Sequence, residues 1–168
     1  MCHCIWQVHW VFLKWAVFYQ QQMIPALQTA GFELLDPWAL NDSPQLQAAL
    51  AQADLSLQRQ QLTVLNLEIE RINAEAIDHC DWGVANLDGV DVDSGTAGEI
   101  GYAFAKGKRI YGYRGDFRLS CDNLGSTVNL QVEYFIRASG GDIYTEFDVL
   151  LRALTTALIS FQTQSQSL

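Results

Sequence analysis

Apolar positions along the chain fall into two rhythms. Short, nearly continuous runs read as strands: residues 5–13, FELLD at 32–36, WGVANL at 82–87, RIYGY at 109–113, and DIY at 142–144 as a short last one. WGVANL has the character of a buried central strand. Between these runs the apolar residues recur every three to four positions. Tyr19, Met23 and Leu27 mark a helical face within 16–30, which Pro25 interrupts and Gly31 closes as a C-cap. Leu62, Leu65, Ile69, Ile72 and Ala76 form a face expected to be buried within a long helical stretch, 44–79. Its polar early run, AQADLSLQRQQ, reads as a helix over the site or as a flap. Further helices are expected over 96–106 and 129–138. Phe147, Leu150, Leu151, Leu154, Leu158 and Phe161 form the stripe of the last one. RGDFRLSCDNLGST reads as a long loop, and the polar tail 162–168 as disordered.

Strands alternating with helices imply an α/β fold: a doubly wound, five-stranded parallel sheet with helices on both faces, as a single domain over residues 1–161. Sheets of this kind bind ligands beyond the carboxyl ends of their strands, where the winding reverses. That rule points to the loop after WGVANL. Composition agrees with a packed domain, since 168 residues with 49% apolar content can bury a core. A net charge of −9 disfavours nucleic acid and anionic membrane as partners. Four cysteines, unevenly placed, do not make a disulfide scaffold and suggest a reducing, cytoplasmic setting. The aromatic opening, MCHCIWQVHWVFLKWAVF, is too interrupted to span a bilayer and lacks a basic leader and cleavage site. Its Cys2, His3, Cys4 and His9 lack the spacing of usual zinc pairs.

The candidate chemistry lies in DVDSGTAGEIGYAFAKGK, residues 91–108. Thr96 and Glu99 match a capping box, and Asp93 or Ser94 can also cap, so helix termination alone accounts for these residue types. The alternative is catalytic. Gly95 and Gly98 leave backbone room for a ligand, and Asp93 and Glu99 can face one cavity. A poorly solvated carboxylate at a helix start can attack a sugar carbon as it becomes oxocarbenium-like. The stretch is neither a phosphate loop nor a dinucleotide fingerprint, because the glycine spacing of both is missing.

Residues 80–118, with LDG and DSGTAGEIGYAFAKGK, followed by VNL at 128–130, resemble the nucleoside 2-deoxyribosyltransferase family. Residues 22–40 share its character. The resemblance implies a flavodoxin-like sheet and transfer of a 2-deoxyribosyl group between nucleobases through a covalent glycosyl-glutamate, with slow hydrolysis as a side reaction. By it, Glu99 is the nucleophile and Asp93 the acid that holds the sugar 5′-hydroxyl. Asn129 reaches a neighbouring subunit's sugar, which implies a homo-oligomer, and Asn73 stands where several members carry a base-engaging aspartate. Gly95 completes the substrate-binding set. No metal or organic cofactor is implied, and the partners are 2′-deoxynucleosides and free nucleobases.

Two alternatives belong beside this one. A related branch hydrolyses deoxynucleoside 5′-monophosphates, but a carboxylate at Asp93 repels phosphate. A non-catalytic nucleotide-sensing domain of the same fold is motivated by HWVFLKWAVF, which has no glycine where the family's first strand runs into a glycine-containing loop. Other candidate residues read as structural. His79 and Cys80 are adjacent at a helix end and point apart. Arg114, Asp116 and Arg118 suit a loop clamp, and Asp88-Gly89 is a turn. Trp6, Trp10 and Trp15 read as core.

Overall fold

The computed structural model describes residues 3–8, 18–118 and 124–165. The expected strand residues 9–13, most of the aromatic opening, Cys121 and positions 166–168 lie outside them, as do the side chains of His3, Cys4 and Trp6. The strands are β1 (His3–Val8), β2 (Phe32–Leu35), β3 (Trp82–Asn86), β4 (Arg109–Tyr113) and β5 (Ile143–Tyr144). They lie in the order β2-β1-β3-β4-β5, and every pairing is parallel. The helices between them are α1 (Ile24–Thr29), α2 (Pro37–Asn41), α3 (Pro44–Leu50), α4 (Leu55–His79), α5 (Ser94–Ala105), α6 (Leu130–Ala138) and α7 (Phe147–Ser165). This is the expected α/β arrangement, and its winding reverses between β1 and β3.

Residue alternation along the strands divides the core in two. Ala85 and Ile110 face one side, packing with Ala76 and Ile77 of α4, Ile100 and Ala103 of α5, and Val132 and Ile136 of α6. Trp82, Val84 and Tyr111 face the other, packing with Leu27 of α1 and with Leu150, Leu154 and Leu158 of α7. All five residues of β3 are buried, as a central strand covered on both faces requires.

Several helix boundaries differ from expectation for local reasons. Pro25 falls where a π-helical turn, Tyr19–Met23, passes into α1. A proline there has no N–H to leave unpaired. Gly31 takes φ +95° just past the end of α1, a conformation that disfavours any other residue. The stretch 44–79 is two helices. Ser43 caps α3 by accepting the Leu46 N–H, and Asp54 caps α4 by accepting those of Ser56 and Leu57. The expected stripe of α4 is half-buried at Leu62, Leu65, Ile69 and Ile72, and fully buried only from Ala76 onward. Most of α4 therefore stands beyond the sheet, against α2 and α3. The final helix runs through Ser165, beyond the expected boundary at 161, so the polar tail continues its helix across Gln162–Ser165.

Gly141, ahead of β5, lies against the β4 backbone: a Cβ there would stand 1.7 Å from the carbonyl oxygen of Ile110. Gly141→Ala is expected to destabilise the fold by more than about 3 kcal/mol, because backbone, not a flexible side chain, must yield. Equilibrium denaturation checks this.

Candidate active site

The loop that leaves β3 delivers α5, and Asp93 closes its first turn. Asp93 Oδ2 accepts the N–H groups of Gly95 at 2.8 Å and Thr96 at 3.1 Å. This overturns the capping box. Asp93, not Thr96, is the N-cap; Thr96 lies inside the helix, 1% exposed, and its Oγ1 has no hydrogen-bond partner among the described residues. Glu99 does not turn back to the helix start. It reaches across to α4, where its Oε1 accepts the Asn73 Nδ2–H at 3.3 Å.

The other oxygen, Glu99 Oε2, is buried and accepts no hydrogen bond among the described residues. A carboxylate in this position is poorly solvated and only half satisfied. Burial pushes its pKa up to about 7; the Asn73 hydrogen bond opposes that rise, and the nearby negative charge of Asp93 adds to it. Asp93 Oδ1 accepts no hydrogen bond among the described residues. A Cβ built on Gly98 would meet no atom within 4 Å, which leaves space beside this turn of α5.

Glu99, Asp93 and Asn73 thus come together from two elements distant in sequence. Gly95 joins them through its amide on Asp93. Asn129 shares no hydrogen bond with them: it is exposed and caps α6, its Oδ1 accepting from Gln131 and Val132. Its Nδ2 makes no hydrogen bond among the described residues.

Sequence reasoning missed Asn41. At the end of α2, its Nδ2 donates to Asn73 Oδ1 at 2.9 Å, which continues the chain from Glu99 outward. Spacing gives no signal of this pair, which lies 32 residues apart. Asn41 also lines a cavity of about 270 Å³ between α2, α3 and α4, whose floor is Leu40, Leu46, Leu65, Ile69 and Ile72. Glu99 does not line that cavity, but is linked by hydrogen bonds through Asn73 to Asn41, which does.

The loop after β4 braces the loop after β3. Arg114, only 1% exposed, donates to the carbonyl oxygens of Leu87, Gly89 (3.2 Å) and Arg118 (2.6 Å). Asp88 Oδ1 accepts the Asp116 N–H at 2.8 Å. Arg118 pairs with Asp116 and holds its carboxyl well below the usual carboxylate range. Arg114, Asp116 and Arg118 form the clamp their alternation suggested. His79 lies with Nδ1 2.7 Å from its own helix's Glu75 carbonyl oxygen, and Cys80 is buried in the core. Among the described residues no three His, Cys, Asp or Glu side chains are grouped to hold a metal ion, and no helix is long and apolar enough to cross a membrane.

A raised Glu99 pKa means that the folded state holds this proton more tightly than the unfolded chain does. The stabilising contribution is complete below about pH 4.5, declines as pH rises, and is lost above about 7. Glu99→Gln is therefore expected to be more stable than the parent at pH 8, by on the order of 2 kcal/mol after allowance for solvent screening, and to lose that advantage at pH 4. Paired urea denaturation curves at the two pH values measure it.

Solved structures share the fold, three of them as follows. A conserved protein from Enterococcus faecalis V583 matches with a TM-score of 0.64 at 22% identity, covering 90% of this chain and 96% of that one. The 2-deoxyribosyltransferase from Bacillus psychrosaccharolyticus matches with a TM-score of 0.62 at 15% identity, covering 88% and 90%. The Clostridium botulinum CMP N-glycosidase BcmB matches with a TM-score of 0.55 at 19% identity, covering 92% and 98%. No curated protein matches in sequence. The family model for nucleoside 2-deoxyribosyltransferase matches residues 8–131, most of the chain and all of the Asn73–Asp93–Glu99 constellation, and the chain belongs to that family.

Proposed function

We propose that this protein transfers a 2-deoxyribosyl group between nucleobases, with Glu99 as the nucleophile. The observation that carries the reading is the Glu99 carboxylate itself: buried, held at Oε1 by Asn73, and unbonded at Oε2. The Glu99 carboxylate attacks C1′ of a 2′-deoxynucleoside. The N-glycosidic bond breaks, its electron pair leaves with the base, and a glycosyl ester forms. A second base then attacks C1′ and regenerates the carboxylate. Water in place of that base gives slow hydrolysis. Poor solvation favours this chemistry, since little hydration has to be stripped from the attacking oxygen.

Asp93 takes the sugar 5′-hydroxyl through Oδ1, its Oδ2 being engaged by the helix amides. Gly95 and Gly98 keep that approach free of side chains. Asn73 contacts the base as well as Glu99; as an amide it forms hydrogen bonds but supplies no proton to the leaving group. Asn129, exposed at the head of α6, serves the site of a neighbouring subunit in a homo-oligomer. The likeness to the CMP N-glycosidase supports a second reading, hydrolysis of a nucleoside 5′-monophosphate. Charge weighs against it, since Asp93 favours a neutral 5′-hydroxyl.

Deoxyinosine incubated with free adenine is expected to yield deoxyadenosine, and deoxyadenosine to be a better substrate than its 5′-monophosphate. Glu99→Gln is expected to lower transfer by more than about a thousandfold. Intact-mass measurement of the wild type mixed with substrate is expected to show one added deoxyribosyl group. Because the attacking form is the carboxylate, kcat/KM should rise with pH and level off above about 7. Unchanged exchange in Glu99→Gln excludes the mechanism; a preference for the monophosphate selects the second reading.

A further inference from the structure

The contacts made by Asn73 have one consistent polarity when Glu99 is ionised. A carboxylate only accepts hydrogen bonds, so Asn73 must present its NH2 group to Glu99. Its carbonyl oxygen then faces away from Glu99 and needs a donor. Asn41 Nδ2 is that donor, at 2.9 Å. Without it, the Asn73 amide can turn over and place its own oxygen against the carboxylate, exchanging attraction for repulsion.

We infer that Asn41 is a positioning residue: by donating to Asn73 Oδ1 it fixes the sense of that amide and thereby keeps an N–H aimed at Glu99. The inference rests on the proposed role of Glu99. Asn41 touches neither Glu99 nor the reacting atoms; it acts through Asn73. The setting isolates the effect. Asp93, at the head of α5, is the charged group that bears on Glu99. On α4, Glu68 and Glu75 are engaged by Arg71, and Asp78 by Lys106. From β3, β4 and α6, the core side chains packed with α5 are Ala85, Ile110, Val132 and Ile136, none of which titrates.

The test is a pH titration of the Glu99 carboxyl carbon by NMR in the full chain labelled with carboxyl-13C glutamate, its signal identified by its loss in Glu99→Gln. Asn41→Leu, close to asparagine in shape, is expected to raise the Glu99 midpoint by about one pH unit, as loss of one hydrogen bond to the ionised form should. Asn73→Leu is expected to raise it comparably. In the double variant, Asn41→Leu should add nothing further. Asn41→Ala, a smaller neutral replacement that also removes the donor, should raise the midpoint as Asn41→Leu does, with that rise absent when Asn73→Leu is also present. An unmoved midpoint in Asn41→Leu, or an equal shift with and without Asn73, overturns the inference; should Asn41→Leu fail to fold, the Asn41→Ala pair decides by the same comparison. The titration needs no turnover, so an inactive wild type sinks the proposed transfer and leaves this result to stand or fall by itself.

Discussion

A carboxylate taken out of water and given a single amide is the constraint around which this protein is arranged. Ionising such a group costs stability, because one neutral hydrogen bond replaces only part of its hydration. A domain built for stability alone would leave a glutamate on the early turns of α5 in solvent, or let it cap the helix. Here Asp93 takes over the capping, which releases Glu99 to face α4. Two acids that compete in the sequence for one structural task divide the work in space. One ties off the helix, and the other is left under-satisfied.

That division needs a rigid frame. The Glu99–Asn73 contact joins residues 26 apart on two helices, so it holds only if both helices are fixed. Ala76 and Ile77 anchor α4, and Ile100 and Ala103 anchor α5, in the same core over β3 and β4. The apolar side chains immediately beyond Asn73 and Glu99 set the spacing between the two. Asn73 lies one turn from Ala76, and Glu99 is next to Ile100.

Much of this was legible in the sequence. The strand runs WGVANL and RIYGY were legible, because burial on both faces of a central strand leaves a continuous apolar signature, and the carboxyl-end rule singled out the loop that carries the candidate site. The pairing of Asp93 with Glu99 was legible too, since both belong to one turn. What escaped depended on contacts between distant segments. Thr96 satisfies a local capping pattern, but Asp93 starts the helix three residues earlier, and Thr96 is carried into its buried side. Asn41 carries no pattern of its own; its contact with Asn73 joins residues 32 apart. The end of α7 was misjudged because polar residues say what faces water, not whether the backbone is still helical.

Arg114 has a consequence beyond its own contacts. Its guanidinium sits in the interior against backbone carbonyl dipoles, two of them belonging to the segment that leads into Asp93. A planar fork can bridge that segment to the stretch after β4 in one geometry, whereas an ammonium in its place would reach fewer carbonyls at once. The rim of the candidate site is thereby ordered when the chain folds. A ligand arriving later meets a surface whose conformational entropy has already been surrendered, and more of its contact energy remains for holding it in place.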